Sequence, residues 1–181
     1  MIDANEIIKF WFVEHDKEDW YGSTNKFDEL VHGKFFELHK QIAAGEKSTW
    51  RKSAEGRLAE IIVLDQFSRQ FFRGKAQAFA YDNMALVLAQ ELVASGGDKT
   101  LTLEQRGFAY MPYMHSESLK IHDEAVRLFG SLNNKDTLAF EISHRDIIAK
   151  FGRYPKRNEA LGRVSTKEEG EYISSRDGSF F

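Results

Sequence analysis

Residues 144–163, HRDIIAKFGRYPKRNEALGR, gather the side chains of this chain best suited to chemistry. An apolar helix carrying His144 on its inner side ends at Gly152. Arg153 follows at once, then a Tyr154-Pro155 turn, Lys156, Arg157 and Asn158, and later Gly162 and Arg163. Four cations around one helix end and one helix start make an anion-binding corner. Guanidinium forks match phosphate and carboxylate oxygens, and a helix start adds unpaired N–H groups. Packing alone does not call for so many guanidinium groups, and buried ones are costly unless paired. Three plainer roles compete. Arg153 complements the preceding helix dipole. Asn158 is the N-cap of a short following helix. Arg157 and Arg163 form surface salt bridges with the acidic run Glu168, Glu169 and Glu171.

Three further groups of residues carry the same double reading. In LDQFSRQFFR, residues 64–73, helical spacing sets Asp65 and Arg69 one turn apart on the face that holds Leu58, Ile61 and Ile62. Such a pair either joins two helices as an ion pair, or lines a pocket in which Asp65 orients Arg69 toward a ligand. In YMPYMHSE, residues 110–117, Pro112 closes a helix and Ser116 caps the next. His115 at that helix mouth suits acid–base or ligand-orienting work, with Glu117 in the first turn. The string is not a zinc motif, whose histidines stand four apart with glutamate between, and it lacks the glycines of a nucleophile elbow. His144 shares its helix face with Phe140, Ile147, Ile148 and Phe151, where a satisfied core histidine is the ordinary finding. The remaining histidines, His15, His32, His39 and His122, read as surface positions.

The elements that must position these groups are helices. Apolar residues recur at helical rather than alternating spacing, and only two prolines occur. Asp3 with Glu6 forms a capping box before the first helix. A loop with Trp20 and Tyr21 leads to a second, from about Asn25 to a stop at Gly45. Others are predicted over 53–72, 76–94, a short one capped by Thr102 and Gln105, 116–129 and 136–151. Thr166 with Glu169 caps a last short helix before the polar tail SSRDGSFF. The pattern predicts an all-α chain of antiparallel helical hairpins, one domain spanning residues 1–181, with no sequence repeat at the tetratricopeptide period.

Composition bounds the function. The chain has 181 residues with 42% hydrophobic content, 15 Phe, no Cys and a net charge of −3. The absence of cysteine excludes a disulfide framework, a thiolate metal site and a cysteine nucleophile. A near-neutral balance disfavours nucleic acid as a partner. No window has the length of a membrane span and no signal peptide is evident, so the expectation is a soluble cytoplasmic protein without membrane association.

FWF at 10–12, LDQFSRQFFRG at 64–74, HSE at 115–117, FGRYPKRNEALGR at 151–163 and STKEEGEYI at 165–173 together resemble a bacterial family, domain of unknown function 924. The resemblance implies a tetratricopeptide-like α-α superhelix and carries no established activity. The family's usual LDQFPRN and FGRFPHRN are altered here: Ser68 replaces a proline, Gln70 an asparagine and Lys156 a histidine. A role for that histidine could not apply in this chain, which shifts weight to His115 and His144.

These readings lead to a pocket for a small phosphate- or carboxylate-bearing molecule, lined by Asp65, Arg69, Arg153, Arg157, Asn158 and Arg163. A hydrolase or transferase would use His115, His144 and Glu117 as acid–base groups, with water as nucleophile. The alternative is a helical-repeat scaffold gripping an acidic or C-terminal peptide of a partner protein. A metal held by Asp65, His115, Glu117 and His144 is a third reading, but the spacings match no ligand signature. No cofactor, reaction or oligomeric state is legible.

Overall fold

The computed structural model describes residues 2–22 and 25–175, and all regular structure among them is helical. The polar tail from residue 176 onward lies outside the described residues. Contacts divide the chain into two compact units, Met1–Arg73 with Gln77–Pro112, and Gly74–Ala76 with Tyr113–Phe181.

The first unit opens with α1 (Ala4–Lys9), where the Asp3 carboxylate accepts the Glu6 N–H at 2.9 Å. The helix winds on through a wider, π-type turn, Phe10–Glu14. The predicted loop at Trp20 and Tyr21 is instead a short helix, α2 (Lys17–Gly22). The Trp20 indole N–H donates to the Trp11 carbonyl there, and the two indoles stack at 5.7 Å. α3 (Asn25–Ala43) buries Phe27, Val31, Phe35, Leu38, His39 and Ile42.

α4 (Ala54–Ile62) starts where the Ser53 hydroxyl accepts the Gly56 N–H, and continues through a second π-type turn, Val63–Phe67, into α5 (Ser68–Phe71). Every residue from Leu58 to Asp65 is buried, as befits a central helix packed against α1 and against α6 (Asp82–Ala94). The buried Glu60 in that run is satisfied by a two-pronged bond from Arg51, at 2.9 and 3.1 Å. Phe10, Trp11, Phe27, Phe35, Phe67 and Phe108 pack around the π-type turns with ring centroids about 5–6.5 Å apart.

The helix capped by Thr102 and Gln105, α7 (Leu103–Met114), corrects one expectation: Pro112 lies inside it rather than closing it. Burial of Tyr110, Pro112, Tyr113 and Met114 offsets the local cost of proline there. In the second unit α8 (Leu119–Gly130) packs along α9 (Lys135–Phe151), and α10 (Lys167–Ser174) follows. α8 starts three residues later than the sequence suggests. Ser116 is not its cap; the residue at the cap position is Ser118.

Candidate functional site

The basic corner is built in the second unit by three local devices. Gly152 takes a left-handed conformation (φ 70°) that ends α9, its N–H returning to the Ile148 carbonyl. Tyr154 is extended, and Pro155 then starts a single 3-10 turn, Pro155–Arg157. Thr166 and Glu169 form the predicted capping box of α10. Asn158 does not act as an N-cap. It is buried with helical backbone angles, and its side-chain N–H group donates to Ser165 Oγ and Glu169 Oε2.

Tyr154 stands at the centre. Its N–H donates to Glu117 Oε1 at 2.7 Å and its carbonyl accepts from Arg163 at 3.1 Å. Arg163 also forks onto both oxygens of Glu117, at 2.7 and 3.0 Å. The phenol donates to the Met114 carbonyl and lies 3.2 Å from His122 Nε2. Its ring packs with Ile147 and Ile148 on one side, and the Arg157 guanidinium lies over it at 4.6 Å while donating to the His115 carbonyl. Arg153 forks onto Glu169 at 2.6 and 2.8 Å and reaches the Val164 carbonyl. The acidic run therefore engages Arg153 through Glu169. Arg163 pairs with Glu117 instead of that run.

His122, expected at the surface, is fully buried at 0% exposure. Its Nε2 faces the Ser116 carbonyl at 2.8 Å, and its Nδ1 faces Glu141 Oε1 at 2.7 Å. A carbonyl only accepts, so Nε2 carries a hydrogen, and one further proton lies between Nδ1 and Glu141. Burial pushes the Glu141 carboxyl up against the pull of His122. His39, also expected outside, is buried at 2% exposure.

His144 is 8% exposed, with Nδ1–H donating to the Phe140 carbonyl at 2.8 Å and its ring 5.7 Å from that of Tyr154. Burial brings its pKa down to about 3; the charges of His115, His122 and Arg157 add to this, outweighing the Phe140 bond. Neutral His144 thus keeps one nitrogen as a hydrogen-bond acceptor near pH 7. Burial raises the Glu117 carboxyl, but Arg163, the Tyr154 N–H and Arg157 outweigh it and the net shift is downward. Glu117 is an ionised brace for Tyr154.

Asp65 and Arg69 belong to the first unit. Arg69 reaches Asp65 at 3.1 Å and forks onto Asp82 of α6 at 2.9 Å on each prong, the inter-helix ion pair of the plainer reading. Among the described residues no three of His, Asp and Glu gather in a way that could hold a metal. Tyr154, His122, Glu141 and Glu169 were not singled out from the sequence as site residues. The capping box alone signalled Glu169, and nothing local signalled that His122 and Glu141, 19 residues apart, would meet.

The pattern of a family described as bacterial protein of unknown function (DUF924) matches residues 7–177. The chain belongs to that family. It is also similar to a solved structure, that of protein of unknown function ATU0120 from Agrobacterium tumefaciens. The two are 34% identical with a TM-score of 0.90, over 94% of this chain and 96% of that one. No functionally curated protein matches. No helix among the described residues is long and apolar enough to cross a membrane.

Proposed function

We propose that the second unit binds a small molecule bearing a phosphate or carboxylate at the face of Tyr154 flanked by His115, His144 and Arg157. One observation carries this reading: the Arg157 guanidinium lies 4.6 Å over the Tyr154 ring and donates to the His115 carbonyl, while the His144 ring stands 5.7 Å from that same tyrosine. An arginine and two histidines drawn together in this way offer an anion one guanidinium charge and hydrogen-bonding nitrogens. Arg153, Arg163 and Asn158 take no part, because Glu169, Glu117 and Ser165 already occupy them. The Tyr154 ring beneath the Arg157 guanidinium and the His115 carbonyl beside it hold that side chain in place, which lowers the entropy lost on binding. If a hydrolysis or group transfer follows, its proton is handled by His115, since burial lowers the His144 pKa to about 3.

Binding of an anion beside His144 raises that imidazole's pKa, so it draws a proton from solvent. Affinity therefore increases as pH falls toward the free imidazole's value of about 3. The test is calorimetric titration with inorganic phosphate and a panel of phosphorylated and carboxylated metabolites, in two buffers of different ionisation enthalpy. A peptide ending in a free carboxylate forms a separate arm, because it offers the same chemistry. Thermal shift at a hundredfold excess over Kd should report roughly 2.7 kcal/mol of added stability. Arg157→Ala should lose most of it, whereas Arg153→Gln should keep it on a less stable background. An equal ligand effect in Arg157→Ala would remove the proposal.

A further inference from the structure

The first unit contains a hollow of about 350 Å³ between the C-terminal half of α3 and the residues around Phe72 and Tyr81. Its wall is mostly ring. Phe36 and Phe72 contribute, and the buried His39 meets Phe72 at 5.9 Å and Tyr81 at 5.4 Å, both nearly edge-on. On the α3 side Ala43 supplies only a methyl group, which leaves the space open. Lys40 stands at the rim, its ammonium 4.7 Å from the Phe36 ring centre and 2.7 Å from Glu37, so the rim charge is locally balanced.

His39 is the buried polar side chain of this wall, beside the more exposed Tyr81 and Lys40. Burial brings its pKa down to about 4, so it is neutral near pH 7, with one donor nitrogen and one acceptor. Its Nε2 lies 2.8 Å from the hydroxyl of the fully buried Ser68. A buried hydroxyl must place its hydrogen on an acceptor or leave a donor unsatisfied. Ser68 therefore donates to Nε2, which places the His39 hydrogen on Nδ1.

We propose that this hollow binds a small aromatic molecule with one oxygen acceptor, its ring among Phe36, Phe72 and Tyr81 and its oxygen on His39 Nδ1–H. The volume suits roughly ten to fifteen non-hydrogen atoms, the lower end of small-molecule sites, and is too small for a partner helix. Aromatic edges around a flat guest provide offset and edge-to-face contacts. The balanced rim asks for no net charge on the guest. This site differs from the anion site in unit, in charge and in chemistry, so the two proposals stand or fall separately.

Methyl NMR on alanine-labelled full-length protein tests it, with Ala43 and Ala44 as reporters. Acetophenone should shift both signals saturably. Ethylbenzene, which has the ring but no acceptor, should bind about tenfold more weakly, the worth of one hydrogen bond. Ala43→Leu keeps a good helix former and fills the hollow, so acetophenone should no longer bind while the far-ultraviolet dichroism is unchanged. Ala44→Leu repeats the block if the first variant folds poorly. His39→Phe should bring acetophenone down to the ethylbenzene level. The absence of a saturable shift in the wild type would overturn the proposal. Undiminished binding in both leucine variants, or equal affinity for the two guests, would do so as well.

Discussion

Tyr154 has its N–H, its carbonyl and its hydroxyl bonded inside one unit, to Glu117, Arg163 and Met114. Tyr154→Phe keeps the ring and removes one buried hydrogen bond, so stability should fall by about 1–2 kcal/mol, read as a shift of the urea midpoint at constant slope. Glu117→Gln should cost more, because Arg163 then keeps its charge without a carboxylate. A smaller loss for Glu117→Gln than for Tyr154→Phe would show that the brace is incidental. At this scale the sequence was legible in part. Four cations in one segment announced a basic corner, but which were neutralised depended on acids 16 and 46 residues away. His39 was more legible than its surface reading allowed, since it lies one helical turn after Phe35 on the buried stripe of α3. His122 carried the same mark, one turn before Ala125 on the buried stripe of α8, but nothing local signalled that Glu141 would meet it from the neighbouring helix.

Helix starts and stops were the most readable features, because caps are local chemistry. Asp3, Ser53, Thr102 and Thr166 all accept N–H bonds at helix starts. The starts and turns that tertiary contacts decide were not readable. Ser116 fails to begin α8 because its carbonyl is held by His122. The π-type turn Val63–Phe67 follows from packing and leaves no pattern in VLDQF. Two glycines give opposite predictions. A Cβ on Gly56 would lie 1.9 Å from the Trp50 carbonyl oxygen, a backbone atom that cannot step aside. Gly56→Ala should therefore destabilise by about 2–3 kcal/mol despite alanine's better helix propensity. Gly33, exposed within α3, has open space around it. Gly33→Ala should stabilise by about 0.5–1 kcal/mol. Thermal melts of the two variants measure both, and a stabilised Gly56→Ala would contradict the close packing of α4 on the Ser48–Lys52 turn.

The all-helical class and the family were legible from the whole chain, while the division into two units was not. Its boundary falls at Pro112 and Tyr113, within α7, where composition does not change. Each unit buries a neutral histidine, His39 with a pKa of about 4 and His144 with one of about 3. Both values lie below the unfolded 6.5, so between that value and the folded one the unfolded chain binds protons the folded chain refuses. Stability should be full above about pH 7 and fall on acidification, by up to roughly 1.4 kcal/mol per pH unit for each histidine. Below about pH 4.5, the lowered carboxyls of Glu117 and Glu169 steepen the loss. Glu141, raised by burial, works in the opposite sense: its contribution is present in acid and is lost as pH rises. Denaturant melts from pH 7 to 4 should show the decline, and His144→Gln should flatten it; a pH-independent midpoint would mean that neither imidazole is held neutral. Glu169 has a consequence of its own. It closes the cap of α10, bonds Asn158 and receives both prongs of Arg153, while Tyr172 rests on Phe151. Eight residues do not persist as a helix alone. The amides of α10 should therefore exchange with deuterium as one cooperative unit, ahead of α9. Glu169→Gln should speed them all by a common factor and leave the α4 amides at their original rate.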